Sequence, residues 1–135
     1  MHTYDLRTSE YLGHLDQITV TIDRSSPLVV ARRETAVDGV HIQENTHAVP
    51  GQQAKISVQV LDSEGAACPD HLVRIRVEDP HGEQVSCYSG LLHGGDGMEW
   101  IIPFALNDTP GVWKVFAIDA VSGKEDVAEI ELAHP

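Results

Sequence analysis

The stretch that decides the fold is AKISVQVL, at residues 54–61. Apolar side chains occupy every second position of this stretch, and mostly polar side chains stand between them. Because successive side chains of a β-strand point to opposite faces, the alternation predicts a strand with one buried and one wet face. Turn-forming residues bound the strand on both sides, with VPG at residues 49–51 and DSEG at residues 62–65.

The same alternation recurs in LVRIRVE at residues 72–78, where DPHG at residues 79–82 predicts a hairpin turn. We expect the return strand over residues 83–92, with Val85, Cys87 and Leu91 on one face. Residues 40–43, 98–106, 112–119 and 125–132 complete a set of seven predicted strands. Seven short strands between residues 37 and 133 predict an all-β, antiparallel immunoglobulin-like sandwich.

Two tryptophans are expected in its core. Trp113 alternates with Val115 and Ala117, so it should be buried. The residues predicted to pack against it are Val58, Ile75 and Trp100. The strand at residues 98–106 should bury one side, made of Met98, Trp100, Ile102, Phe104 and Leu106. Within it, Pro103 lacks the N–H that a ladder needs and so favours an edge strand or a bulge.

Residues 1–33 form a separate β-meander in this interpretation, ahead of the sandwich at residues 37–133. Short strands are predicted at residues 4–7, 11–13, 17–22 and 28–31, with Ile18, Val20 and Ile22 sharing a face. A few short strands cannot bury both faces alone, so the meander should pack against the sandwich or belong to an upstream β-domain.

A candidate interaction surface lies on the outward side of the strand that carries Trp113. Val112, Phe116 and Ile118 are apolar where a wet sandwich face should be polar. Such a stripe needs a cover, and two are available: the meander or a second copy of the chain. We favour the meander, because it is covalently attached and offers an apolar face.

Composition excludes several classes of function. The 21 acidic and 9 basic residues give a net charge of −12, which disfavours nucleic acid and anionic membrane surfaces as partners. No apolar run reaches the length of a membrane span, so no membrane insertion is expected. No nucleophile with a base and no phosphate-binding loop is identifiable, so no catalytic residue and no cofactor are assigned.

The sequence also contains residues that could bind a metal ion, bind a sugar or form a disulfide bond. The loop carboxylates of Asp62, Glu64, Asp96 and Asp108 lack a contiguous calcium-binding pattern, so no metal site is assigned. Sugar binding would need exposed rings, for which Tyr4, Tyr11, Tyr88 and Phe116 are the freer candidates. Cys68 and Cys87 pair only if the intervening loop folds back, and otherwise are free thiols, so they do not define a compartment.

The chain also resembles a known arrangement of domains. The strings YDLRT at residues 4–8, YLG at 11–13, ITVTI at 18–22 and LVV at 28–30 resemble the closing strands of small β-domains near the end of large bacterial glycoside-hydrolase-like proteins. Residues 50–123, from PG through GVW to DAVSG, are similar to the immunoglobulin-like, fibronectin-III-like or macroglobulin-type sandwich that can follow them.

That resemblance implies an accessory, non-catalytic module, because catalysis in such proteins belongs to other domains. Its partners would be the other domains of a parent protein, in an extracellular or periplasmic setting. Self-association is a second option for the partner. The alternative function is that of a carbohydrate-binding accessory module.

Overall fold

The computed structural model describes residues 1–43, 47–94 and 97–135. These residues form β-strands joined by turns, with a single turn of 3-10 helix at Ser86–Tyr88. The strands are β1 (His2–Asp5), β2 (Glu10–His14), β3 (Val30–Arg33), β4 (Val37–Gln43), β5 (His47–Ala48), β6 (Gln53–Asp62), β7 (His71–Glu78), β8 (Gly90–Gly94), β9 (Met98–Pro103), β10 (Gly111–Asp119) and β11 (Glu125–Leu132).

Two sheets form the layers of a sandwich. One has the strand order β5-β11-β10-β7-β8 and the other the order β4-β6-β9. Buried side chains from both sheets make up one hydrophobic core. The predicted all-β immunoglobulin-like sandwich is therefore confirmed, with two refinements. The two-residue β5 is an additional strand, and it pairs parallel to β11 while the other pairs are antiparallel.

The alternating stretches form the centre of this core. In β6 the buried positions are Ala54, Ile56, Val58 and Val60, as the period of two predicts. The odd-numbered residues of β7 are buried in the same way. After β7 the Asp79 carboxylate accepts hydrogen bonds from the backbone N–H groups of His81 and Glu83, each at 2.9 Å. Gly82 closes this turn at a φ of 81°, which glycine adopts without strain.

Trp113 is buried, at 2 % exposure, as its alternation predicts. Its ring centroid lies 5.1 Å from that of Phe104 and 6.0 Å from that of Tyr88. The indole Nε1 donates a hydrogen bond to the Thr109 carbonyl at 2.9 Å. Trp113 therefore has both an apolar environment and a partner for its one polar group, as a buried indole requires.

The expected partners of Trp113 need one correction. Val58 and Ile75 belong to the same buried core. Trp100 is only half-buried at the rim, where its Nε1 donates to the Tyr88 carbonyl at 3.0 Å. The aromatic rings that contact Trp113 are those of Phe104 and Tyr88, because Tyr88 turns into the core, contrary to the prediction that it is free.

The predicted return strand over residues 83–92 is confirmed only from Gly90, where β8 pairs antiparallel with β7, and is wrong for the residues before it. After an isolated bridge between Glu78 and Gln84, the chain forms the 3-10 turn and resumes pairing only at Gly90. The turn brings Tyr88 inward and leaves Cys87 and Leu91 exposed. Glycine is required at residue 90, because an added Cβ would lie 2.8 Å from Trp100 Cη2.

Leu106 departs from its prediction, whereas Pro103 agrees with its own. Leu106 is exposed rather than inward, because β9 ends at Pro103 and the chain turns after Phe104. Pro103 does lie on an edge strand, since β9 pairs with β6 on one side of its sheet. Cys68 is buried and Cys87 exposed, and both thiols are free.

Tyr88 also connects the 3-10 turn to the loop before β10. Its hydroxyl donates to Asp108 Oδ2 at 2.5 Å, and the same oxygen accepts the Ala105 N–H at 2.7 Å. Burial, together with the hydrogen bond to the Asp108 carboxylate, raises the pKa of Tyr88 to about 12. The neutral phenol is thus the form that the fold stabilises.

This shift predicts alkaline sensitivity. A group with a raised pKa stabilises the fold fully below its ordinary pKa of 10, and the contribution is lost as the pH rises through about 12. We expect the wild-type chain to lose stability between pH 10 and 12 more steeply than Tyr88→Phe. Urea unfolding across that range measures the difference. Parallel curves for the two proteins would contradict the assignment.

The N-terminal meander is a three-stranded sheet of order β2-β1-β3. The strand predicted at residues 17–22 is wrong: these residues form no strand, and Ile22 is 74 % exposed. Alternation alone does not make a strand where no neighbouring strand supplies hydrogen bonds.

No helix within the described ranges has the length and hydrophobicity to cross a membrane.

The meander contacts one end of the sandwich. Tyr4, predicted to be free, is buried, and its hydroxyl accepts a hydrogen bond from the Val37 N–H at 2.9 Å. Ser9 Oγ donates to the Ala120 carbonyl at 2.8 Å, in the turn between β10 and β11. These contacts place the meander against turns of the sandwich, at the start of β4 and the end of β10.

Candidate interaction surface

The apolar stripe of Val112, Phe116 and Ile118 lies on the outer face of the five-stranded sheet. All three side chains come from β10 and alternate with its buried residues. Val112 is 45 % exposed, whereas Phe116 and Ile118 are half-buried. The stripe therefore faces outward, as the alternation predicts.

Neighbouring strands extend this apolar surface. Val127 of β11 lies opposite Phe116, and it is exposed. Arg74 of β7 lies opposite Ile118 on one side and opposite Leu91 of β8 on the other, and Leu91 is 60 % exposed. Exposed apolar side chains on β8, β10 and β11 of one sheet are typical of an interface rather than of a free surface.

Arg76 covers part of the stripe. Its guanidinium carbon lies 4.2 Å from the centroid of the Phe116 ring, which is cation–π geometry. Arg76 Nε is 3.4 Å from Glu78 Oε1, an ion pair that holds the side chain along the sheet. This cover explains why Phe116 is half-buried, and it leaves Val112 and Val127 open.

A pocket of about 400 Å³ opens beside the stripe, between β7 and residues 84–90. Its walls include the two outward arginines of β7, Arg74 and Arg76, and the apolar Ile118 of β10. The side chains that matter for its chemistry are those of Arg74, Arg76, Gln84, Ser86, Leu91 and Ile118. The pocket thus combines positive charge with an apolar wall.

The predicted cover of the stripe by the meander is wrong. The hydrogen bonds of the meander reach Val37, His71 and Ala120, at an end of the sandwich. Val20 and Ile22, which were expected to cover the stripe, are themselves exposed. Since residues 17–22 lack strand structure, they offer no regular apolar face to pack on β10.

The structure also separates the loop carboxylates considered for a metal. Asp62 ends β6 and accepts hydrogen bonds from Glu64 N, Ala66 N and Thr35 Oγ1. Asp108 lies beyond the other end of β6, ten residues or roughly 30 Å away along the strand. Both carboxylates serve as caps of their own loops. Asp96 is outside the described residues, and among the described ones no group of three metal-ligating side chains occurs.

A buried polar chain, which the sequence analysis missed, joins the meander to the sandwich. His71 Nδ1 lies 2.7 Å from Asp119 Oδ1, at exposures of 1 % and 0 %. Asp119 Oδ2 accepts both the N–H and the hydroxyl of Ser122, at 2.9 and 2.7 Å. Arg33 of β3 reaches His71 Nε2 at 2.5 Å.

Hydrogen-bonding capacity fixes the roles in this chain. A carboxylate only accepts and a guanidinium only donates, so His71 donates through Nδ1 and accepts through Nε2. Burial raises the pKa of Asp119, but the hydrogen bonds from His71 and Ser122 outweigh it and hold this pKa below 3.8. The serine hydroxyl is bound to the aspartate rather than to the histidine, and the buried groups satisfy one another's hydrogen bonds.

Comparison with known proteins gives no match to a family model and none to a curated protein. Among solved structures, α-2-macroglobulin from Salmonella matches 72 % of this chain with a TM-score of 0.62 and 18 % identity. The E. coli α-2-macroglobulin matches 84 % of the chain, with a TM-score of 0.62 and 14 % identity. The chain has the fold of a macroglobulin-type sandwich domain.

This chain spans only 6 % and 8 % of the length of those two proteins. A single-domain match is the CARDB domain of a Pyrococcus furiosus protein, solved in complex with di-metal ions. The match spans the whole of that domain and 84 % of this chain, with a TM-score of 0.52 and 12 % identity. At these identities the likeness concerns the fold alone.

Proposed function

We propose that the chain is a non-catalytic sandwich module that packs against another domain of a larger protein through the outer face of its five-stranded sheet. The observation that carries this proposal is the outward apolar stripe of Val112, Phe116 and Ile118, of which Arg76 covers only the part at Phe116. The proposal includes the division into a meander at residues 1–33 and a sandwich at residues 37–133.

Charge favours a different domain over a second copy as the partner. Each chain carries a net charge of −12, so two copies repel each other as they approach. A neighbouring domain without that excess of acid can cover the same surface without this cost. The likeness to segments of long macroglobulin chains fits a module of this kind, in an extracellular or periplasmic parent protein.

The absence of catalysis is part of the proposal. The buried pair of His71 and Asp119 is the arrangement among the described residues that most resembles catalytic machinery, and it is closed to solvent. Asp62 and Asp108 are engaged as loop caps, and neither is an open acid or base. These carboxylates are better explained by stability than by chemistry on a substrate.

Carbohydrate binding, the alternative, has less support. Sugars stack on exposed rings, yet Tyr4 and Tyr88 are buried and Phe116 lies beneath Arg76. Of the chain's seven Phe, Trp and Tyr rings, all within the described ranges, only that of Tyr11 is exposed. One ring makes no platform, so we expect no binding to a panel of soluble polysaccharides in affinity electrophoresis.

Hydroxyl-radical footprinting tests the proposed interface. The protein purified in its native assembly is compared with the recombinant chain alone. We expect Val112, Phe116 and Val127 to be several-fold less oxidised in the native assembly. Ile101 is the matched control, because it has the same 45 % exposure as Val112 but lies in the other sheet, on β9.

Equal oxidation of the stripe in both preparations would contradict the proposal. So would a recombinant chain that sediments as a dimer with the stripe already protected, since a second copy would then be the partner.

A further inference from the structure

The pocket beside the stripe is lined by two arginines, on a protein that is acidic overall. Arg74 and Arg76 account for two of the nine basic residues, and both point outward from β7. The side chains that line the pocket include no carboxylate. Glu78 pairs with Arg76 outside the lining, but two arginines against one carboxylate leave the pocket net positive, which favours an anionic ligand over a cationic one.

The two arginines have unused hydrogen-bonding capacity. Arg74 is exposed and makes no hydrogen bond or ion pair with any described residue. Arg76 Nε is buried 3.4 Å from Glu78 Oε1 and is closed to a ligand, but the two Nη groups of Arg76 make no hydrogen bond with any described residue. A guanidinium offers five N–H donors in a planar fork that matches a carboxylate. An acidic ligand would satisfy donors that the fold itself leaves free.

The apolar side of the pocket indicates that the ligand is a peptide. Leu91 and Ile118 line the pocket together with the arginines. The arginines lie on β7, and the stripe lies on the adjacent β10, about 4.8 Å away across the sheet. An extended acidic segment can place a carboxylate on the arginines and an apolar neighbour on Ile118. A free phosphate has no group that would use this apolar wall.

We propose that this pocket receives a glutamate or aspartate side chain from an extended acidic segment of the partner domain, an inference that rests on the proposed function. The carboxylate pairs with Arg74 and Arg76, and apolar residues of the segment pack on Leu91 and Ile118. The pocket thereby selects the partner by charge, while the stripe supplies apolar contact area.

Fluorescence anisotropy with labelled peptides tests this inference on the recombinant chain. The probe is a blocked pentapeptide that alternates leucine with glutamate, and its counterpart carries glutamine instead of glutamate. We expect the glutamate peptide to bind at least tenfold more tightly, in a manner weakened by salt. Arg74→Gln should remove this tenfold preference, and Arg74→Lys should restore only part of it, because lysine keeps the charge without the fork.

Lys55→Gln is the control, because Lys55 is an exposed cation on β6 of the other sheet. It should bind the peptide as the wild type does, and all variants should keep the wild-type melting temperature. The inference is overturned by equal binding of both peptides, by no binding, by unchanged binding in Arg74→Gln, or by equal loss in Lys55→Gln.

Binding of inorganic phosphate or of a heparin oligosaccharide, with no binding of the glutamate peptide, would also overturn the inference. The outcome is separable from that of the footprinting. Protection of the stripe without peptide binding removes only this inference, whereas an unprotected stripe removes the proposed function.

Discussion

Replacement of Trp113 by alanine should lower the free energy of unfolding by about 3–5 kcal/mol, the range for truncating a buried tryptophan. The variant loses the ring contacts with Phe104 and Tyr88 and leaves the Thr109 carbonyl without its donor. Urea unfolding followed by far-ultraviolet circular dichroism measures the change without relying on the fluorescence of the removed residue.

Ile101→Ala is the control for Trp113→Ala, because Ile101 is an exposed apolar residue of β9. Its effect should stay within about 0.5 kcal/mol, as for other surface substitutions. A Trp113→Ala variant that unfolds at the same urea concentration as Ile101→Ala would show that Trp113 does not support the core.

Asp119→Ala should cost a similar amount, about 3–5 kcal/mol, for a different reason. Removal of one partner of a buried charged network leaves the others without compensation. Here His71 Nδ1 and two donors of Ser122 would lose their acceptor inside the protein. Glu129→Ala, at an exposed position of β11, should change the free energy of unfolding by less than about 0.5 kcal/mol.

The lowered pKa of Asp119 sets the pH range of this contribution. A carboxyl with a depressed pKa stabilises the fold fully above its ordinary pKa, 3.8 here, and the stabilisation is lost as the pH falls through the lower pKa of the folded state. The stability difference between the wild type and Asp119→Ala should therefore shrink below pH 3.8. A difference that stays constant down to pH 2 would contradict the assignment.

The sequence predicts elements well where a strand has one buried face and a neighbour on each side. β6 and β7 meet both conditions, and their buried positions agree with the alternation. Residues 17–22 show the same period but lack a pairing partner, so the period misleads there. At Cys87 the alternation ends, because burial of the large ring of Tyr88 stabilises the fold more than a longer strand would.

The candidate site was only partly predictable. The outward position of Phe116 follows from the alternation, but its coverage by Arg76 depends on the pairing of β7 with β10. The pair of His71 and Asp119 had a readable signal. Both are polar residues at inward positions of otherwise apolar strands, and a buried polar group needs a partner. Their separation of 48 residues hid which partner each one has.

The hydrogen bond from Ser9 to Ala120 spans 111 residues and has a consequence for biosynthesis. The meander leaves the ribosome long before the turn that receives it has been translated. At about 5–20 residues per second, the gap lasts on the order of ten seconds. During that time the turn that carries Ser9 is a nascent surface without its docking site, to which a chaperone can bind.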